Sequence, residues 1–520
     1  MLHEIIYQWP TGITGLIVLL WLFVGWRLWT FTLKPWIWPR EPKEVPYWIP
    51  FLGHTISFFR DYSATIENGY NCVGRTGEPF AIQLLGKQIY ICTSPSDVST
   101  VFDNTEAFNF DNYLTHLLTS FGISREALDL AWHRPKQGDW CYIPNNPVNP
   151  KQKSLIHHVE DVYRTQLLPG DQMDIWSRRF LDSVQSSLYG IRSLDFCTLK
   201  SEDCGMTQDD QLRAVSLYSL VSFFSVQATA HAMFGPHLHE INPRIVHDML
   251  SFNEHVWMIV FRCPSILSLP VGKHRDKLMN TTRKFVRLHK EQRSQASWAM
   301  TSVLDGMENV GMDMESRASM ILMIFWACFW LLTNLLYDDS LMRLAQSETE
   351  SAWKTGQLDI KTLCANCPNL DSIFNEVLRL NNTAAAARVV SQTVILGGKE
   401  LRPGSTVVMP FRQLHLAEDA WGADVSEFRP SRFLERKSLA RSPSFRPFGG
   451  GSSLCPGRTL VRHEVFGFLS VLLRRFHLSL ATDKSGKRPP FPRLNSITPS
   501  FGINGPVPGM DVIIHIAERK

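Results

Sequence analysis

"SFRPFGGGSSLCPGR", residues 444–458, sets one cysteine behind three consecutive glycines and ahead of a Pro-Gly turn. From Thr459 to Phe476 the apolar spacing is that of a helix, so Cys455 stands at a helix N-terminus. Free amides and the helix dipole favour a thiolate at such a place. An anionic sulfur serves as a nucleophile or as a metal ligand. A nucleophile wants a positioned histidine, and His463, expected on the solvent side of the following helix, is a poor base for it. A phosphate cradle is excluded, because no Gly-Lys-Ser/Thr follows the glycines. The glycines let the backbone run close to something flat or bulky.

Around this loop lies a chain of 520 residues, 44% hydrophobic and 20% charged, with no repeat of fixed period and no long low-complexity tract. That composition belongs to a globular protein. A net charge of +4, with no basic run interleaved with aromatics, sets nucleic-acid partners aside. The ten cysteines are scattered through apolar or mixed surroundings, as reduced thiols of a cytosol-facing protein are. Cys364 and Cys367 form a C-x-x-C, but no second ligand pair and no βαβ context accompany them, so neither zinc nor a redox pair is expected there.

At the other end, "IIYQWPTGITGLIVLLWLFVGW", residues 5–26, carries no formal charge. As a helix it would run ~33 Å against a bilayer core of ~30 Å. Glu4 precedes it without any Lys or Arg, and no small-residue cleavage site follows, so it reads as an anchor rather than a signal peptide. Arg27, Lys34, Arg40 and Lys43 come after it, which places the bulk of the chain in the cytosol. Residues 1–34 are thus an anchor. Residues 35–54 are a strut in which Pro35, Pro39, Pro42, Pro46 and Pro50 forbid helix, and Trp36, Trp38 and Trp48 pack onto the domain or the lipid headgroups. Residues 55–520 form one domain. Two sequons, at Asn280 and Asn381, offer a check, since glycosylation at either would contradict the cytosolic placement.

Within that domain, "PFAIQLLGKQIYICTSPSDVSTVF" alternates about Gly86-Lys87 as a hairpin and turns into a helix at Ser94-Pro95. Helical periodicity covers 211–234, 273–300, 316–337 and 370–380. Short strands return in "TVILGGKELRPGSTVVMP". The fold class is mainly α with small β-sheets.

The cysteine loop resembles that of the cytochromes P-450, the haem-thiolate superfamily. Phe448, Gly451, Cys455 and Gly457 fall on the family's F-x-x-G-x-R-x-C-x-G signature. The resemblance makes Cys455 the axial ligand of the iron of haem b, with Phe448, Gly451 and Gly457 beside the cofactor. In "EVLR", Glu376 and Arg379 stand three apart on one helical face, as in the family's E-x-x-R motif. Such a pair alone is an ordinary surface feature. "FRPSRF" looks like the family's F-x-P-x-R-F and supplies Arg432, the third member of a Glu-Arg-Arg network that braces the haem-binding core. Arg388, in "AAAARVV", resembles the family arginine that pairs a haem propionate. The motifs stand in the family's order, and the resemblance covers essentially the whole chain. It implies the cytochrome P-450 fold preceded by a single transmembrane helix.

Two places depart from the pattern. Ser453 stands where the signature has an Arg or His that reaches a propionate; the branch with sterol 7α-hydroxylases and prostacyclin synthase, which "FWLLTNLLYDDSLM" and "LCPGR" also resemble, tolerates this. In the long central helix, Leu322 and Met323 occupy the positions of the acid and threonine that deliver protons in oxygen-activating members, and no acid lies from Arg317 to Tyr337. Nearby hydroxyls, Ser319 and Thr333, are roughly a turn or more away. Thiolate ligation favours O–O cleavage. The resemblance therefore implies an NADPH- and dioxygen-dependent monooxygenase, served by NADPH-cytochrome P-450 reductase at the endoplasmic reticulum membrane. It would hydroxylate, epoxidise or desaturate a lipophilic terpenoid or polyketide intermediate of fungal secondary metabolism. A haem isomerase or dehydratase that needs neither NADPH nor dioxygen is the alternative. A non-catalytic haem-binding or scaffold protein is a third reading, which loss of activity in Cys455→Ala with the fold intact would exclude.

Overall fold

The computed structural model describes residues 11–189, 194, 213–261, 263, 269–323, 330–483, 485–499 and 502–519. Its first helix, Thr11–Leu28, passes through a π turn, Trp29–Leu33, into Lys34–Ile37. The span from Thr14 to Ile37 has a mean hydropathy of 1.8 and is 6% buried, long and apolar enough to cross a membrane. Pro35 lies inside this run. Proline is tolerated in the first turn of a helical segment, where its missing N–H is not needed, so the prolines end the helix only at Trp38. Beyond it the strut is clamped to the domain. Lys399 Nζ donates to the Pro39 carbonyl at 3.0 Å, the Glu400 amide to the Arg40 carbonyl at 2.7 Å, and Arg402 pairs with Glu41. Trp36 and Trp48 stay on the surface, 82% and 72% exposed, so the strut turns these two rings outward.

A six-stranded sheet takes its strands from both ends of the chain, in the order 43–44, 80–84, 87–91, 406–410, 385–390, 108–109. The hairpin Phe80–Leu84 with Lys87–Ile91 turns on Leu85 and Gly86, both at positive φ, one residue earlier than the sequence suggests. Its second strand pairs in parallel with Thr406–Pro410, which runs antiparallel to Ala385–Val390. A second sheet joins Phe476–Leu480, Ile513–Glu518 and Arg213–Ser216. The remainder is mostly helical, as expected.

Several long periodic stretches are divided. The stretch 211–234 opens as the strand Arg213–Ser216, and Ser216 Oγ then caps the helix Leu217–Phe234 by accepting from the Ser219 amide. The stretch 273–300 becomes Leu269–Arg287 and Trp298–Asn309, the second capped by Ser297. In both, a serine side chain captured a free amide where periodicity alone ran on. The central stretch is helical over Met314–Leu322 and Trp330–Tyr337, while its residues 324–329 lie outside the described residues. The helices Pro368–Asn381 and Arg458–Arg475 match their expected spans to within two residues.

His463 is corrected by the fold. The helix Arg458–Arg475 is a core helix, apolar contacts surrounding it from Leu460 to Leu473. His463 is therefore buried, its Nδ1 3.0 Å from Ser177 Oγ, and burial holds its pKa down to about 4. Of the two sequons, Asn280 is exposed on Leu269–Arg287, whereas Asn381 and Asn382 are buried.

Candidate functional site

The loop 444–458 is held from three sides. Within it the Cys455 amide donates to the Phe448 carbonyl at 3.0 Å, closing the glycine turn. Gly449 and Gly451 have φ of 79° and 59°. A Cβ on Gly451 would come within 2.6 Å of the Phe102 carbonyl oxygen, and one on Gly450 within 2.9 Å of the Phe102 ring. The bulky neighbour that these glycines admit is thus Phe102, at the end of the helix Pro95–Asp103. Gly457 is less constrained, since a Cβ there would meet Cys455 Sγ at 3.6 Å, an ordinary contact.

Cys455 reaches the accessible surface just ahead of the core helix. Burial among its neighbours pushes its thiol up, while the Gly457 and Arg458 amides and the Arg458 charge pull the other way. Desolvation therefore outweighs the helix terminus in the free chain, contrary to the reading from position alone. All seven described cysteines are free thiols. Burial raises Cys364 to about 12 and Cys367 to about 11, which suits packed thiols and not a metal or redox pair.

Arg388 comes to the same loop. It sits 4% exposed in the strand Ala385–Val390, between the rings of Phe102 and Phe110, with its guanidinium carbon 5.2 and 4.6 Å from their centroids. It donates to the Ala387 carbonyl at 2.7 Å and to Ser453 Oγ. No carboxylate faces it among the described residues, and burial holds its pKa down to about 10. Ser453, at the signature position without a cation, is the residue that receives this one. An accessible thiol at a helix N-terminus, a glycine-walled backbone and a buried guanidinium lacking an anion form a donor set that fits a haem with its carboxylates.

Glu376, Arg379 and Arg432 also meet, and are 0%, 0% and 3% exposed. Arg379 grips Glu376 with Nε and Nη2, both at 2.8 Å, and Arg432 Nε reaches the same carboxylate at 3.1 Å. The Arg429 amide adds a fourth donor at 3.0 Å. The remaining guanidinium N–H groups are spent on the carbonyls of His415 and Val425 for Arg379 Nη1, and for Arg432 on the carbonyls of Trp421 and Asp424 and on the Asp424 carboxylate, 3.2 Å from Nη1. Trp421 lies over Arg379 with 5.1 Å from the guanidinium carbon to the ring centroid.

His415, which the motifs do not mark, lies between this cluster and the cysteine loop. Its carbonyl accepts from Arg379, and its Nε2 accepts from the Arg446 amide at 2.9 Å. The only sequence signal was a histidine at the end of an apolar strand and short helix, Thr406–His415.

On the central helix, Leu322 is buried and Met323 half-buried, so these two positions offer no proton-carrying group. Ser319 Oγ faces Met279 Sδ at 3.6 Å, and the Thr333 hydroxyl is buried without a partner among the described residues. An apolar cavity of about 260 Å³ lies against the inner face of the sheet, walled by Phe58, Phe59, Ile89, Phe261, Val408 and Ala387. Ala387 adjoins Arg388, and Tyr113, from the helix that carries Phe110, closes the same end.

Residues 206–502, more than half of the chain, match the profile of the cytochrome P-450 family. The chain is 23% identical over 467 residues to the cytochrome P-450 monooxygenase poxD of Penicillium oxalicum, covering 85% of this chain and 88% of that protein. It is 24% identical over 556 residues to the monooxygenase efuG of Hormonema carpetanum, 92% of each chain being covered. Cytochrome P-450 7B1 of Mus musculus is 21% identical over 481 residues, with 86% of each covered.

Proposed function

The chain belongs to the cytochrome P-450 family, and on that premise we propose that it is a haem-thiolate monooxygenase acting on a lipophilic small molecule, a terpenoid or polyketide intermediate of fungal secondary metabolism. The observation that carries this reading is that Arg388, buried with no carboxylate partner among the described residues, donates to Ser453, two residues before Cys455 in the glycine-rich loop. Cys455 would hold the iron of haem b, and Arg388 would face a haem carboxylate. Bound there, the haem supplies the redox chemistry that transfers an oxygen atom from dioxygen to an unactivated substrate carbon.

The chain's own residues set the surroundings of that chemistry. Phe58, Phe59, Ile89 and Phe261 offer an apolar wall that excludes water from a lipophilic substrate. Glu376, Arg379 and Arg432 brace the backbone from which the cysteine loop departs. Electrons would come from NADPH through its cytochrome P-450 reductase, and the apolar helix through Ile37 supports a cytosol-facing anchor in the endoplasmic reticulum membrane. Asn280 is the sequon that reports on this placement, since it is exposed and Asn381 is not.

A second reading is supported by Leu322 and Met323, which can neither hold nor pass a proton. Rearrangement or dehydration of an already oxidised substrate needs no external reductant. Comparing the mass of the compound that accumulates on gene deletion with that of the lost product tests the two. A gain of oxygen or loss of two hydrogens is expected for the monooxygenase, and an unchanged formula or loss of water for the alternative. The ligand itself is tested by Cys455→Ser, expected to fold as the parent and lose the ferrous carbon-monoxide Soret band of thiolate ligation.

A further inference from the structure

His415 closes the short helix Phe411–His415 and is fully buried, its ring 5.4 Å from that of Phe445. A ring nitrogen that accepts from a backbone amide cannot carry a proton. The 2.9 Å bond from the Arg446 amide to Nε2 therefore places the single ring proton on Nδ1. Nδ1 is buried and makes no full hydrogen bond among the described residues, but the Arg379 backbone carbonyl lies near enough to the ring to favour a proton on it. The ring is thus oriented by an amide donor at Nε2, with its own proton turned the other way. Protonation would break the Arg446 bond and set a cation beside Arg379 and Arg412. Burial, then those two charges, hold the ring pKa down to about 3.

What this nitrogen holds is the entry of the cysteine loop. Arg446 is next fixed through its side chain, Nη2 donating to Ser99 Oγ at 2.9 Å and the guanidinium lying 5.7 Å from the Phe102 centroid. Asn382 Nδ2 takes the Pro447 carbonyl at 3.0 Å, and Phe448 closes onto Cys455. Meanwhile the His415 carbonyl accepts from Arg379 Nη1. One residue thus joins the buried charge cluster, by its carbonyl, to the start of the loop, by its ring.

We propose that His415 is a positioning residue whose neutral, Nδ1-protonated imidazole fixes the Arg446 amide and so the placement of the Cys455 sulfur. Its bearing on ligation rests on the haem-thiolate reading; its bearing on the loop does not. Glutamine and asparagine separate the role from simple packing. The glutamine amide oxygen reaches the position of Nε2, whereas that of asparagine reaches only the position of Nδ1.

In hydrogen exchange of the full chain, His415→Gln is expected to keep the Arg446 amide as slow as in the parent, and His415→Asn to speed it about tenfold. At equal haem content, the ferrous carbon-monoxide spectrum of His415→Asn is expected to show an increased share of the thiol-ligated band, and His415→Gln the parental share. Equal exchange and equal spectra in the two variants would overturn the proposal. Absence of the thiolate band in the parent would instead overturn the haem-thiolate reading and leave exchange as the test of His415. Should either variant not fold, the parent labelled with nitrogen-15 histidine decides by its ring shifts. A proton on Nδ1 of His415 is expected, and one on Nε2 would overturn the proposal.

Discussion

The Glu376 carboxylate and the Arg388 guanidinium are both buried charges close to the cysteine loop, but the first is saturated and the second is not. Four N–H donors converge on Glu376, and the guanidinium groups that supply three of them spend their remaining donors on carbonyls and on the Asp424 carboxylate. Arg388 has two aromatic faces, one carbonyl and one hydroxyl, and no anion among the described residues. Desolvating a charge is tolerable when its partner is built in. On the proposed reading, the incomplete charge awaits a haem carboxylate, so that the first arrangement serves folding and the second ligand capture.

Removing a member of the closed cluster should cost most. Arg379→Ala removes the two-point grip on Glu376, leaving that carboxylate to Arg432 and one amide, and is expected to lower stability by roughly 3–5 kcal/mol, seen in urea denaturation of whatever protein remains soluble. A mild effect would mean the cluster is no more closed than Arg388.

Glu464 sharpens the contrast within one residue type. It too is buried, but it has a hydroxyl partner, Thr229 Oγ1 at 3.0 Å, in place of a guanidinium, and burial raises its carboxyl to about 7. The unfolded chain releases this proton near 4.5, so between 4.5 and 7 the folded state holds more protons and stability falls as pH rises. Glu464→Gln removes that slope, on the order of 2–3 kcal/mol. Denaturation at pH 4.5 and 8 checks it, with the variant's advantage expected at pH 8.

The glycines come next. Gly451→Ala forces a side chain onto the Phe102 carbonyl at positive φ and should cost about 1–3 kcal/mol, whereas Gly457→Ala should stay within about 0.5 kcal/mol. Their thermal midpoints, compared without haem, test whether the loop is shaped by Phe102. Arg388→Met should also change stability little, within about 1 kcal/mol, while haem transfers out of the protein faster. The reverse pattern, an unstable chain with normal haem retention, would make Arg388 a structural charge like Arg379.

Much of this contrast was legible in sequence. Glu376 and Arg379 are placed by helical spacing, and Arg432 by a short motif whose proline, Pro430, restricts the backbone. Cys455 is marked by its glycines and the helix behind it. Part of what could not be read is local: Ser216 and Ser297 start new helices inside periodic stretches by capping amides three residues on, a choice between side chain and backbone that periodicity does not register. The rest depends on partners far along the chain. His463 looked exposed because a surface helix was assumed, and its burial follows from neighbours around the whole helix. His415 acts on an amide 31 residues away through one ring nitrogen, which leaves no pattern in composition or spacing.

The order of the six-stranded sheet has a consequence for how the protein is made. Lys87–Ile91 waits for Thr406–Pro410, more than three hundred residues later in the chain. At a synthesis rate of ~5–20 residues per second that delay is roughly 15–60 s, during which the first hairpin keeps an open edge. Phe102 is translated in the same early stretch, while Arg388, His415 and Cys455 follow only after the central helices. The proposed ligand site therefore stays incomplete throughout that interval, and a nascent chain cannot acquire a cofactor there early as a template for folding.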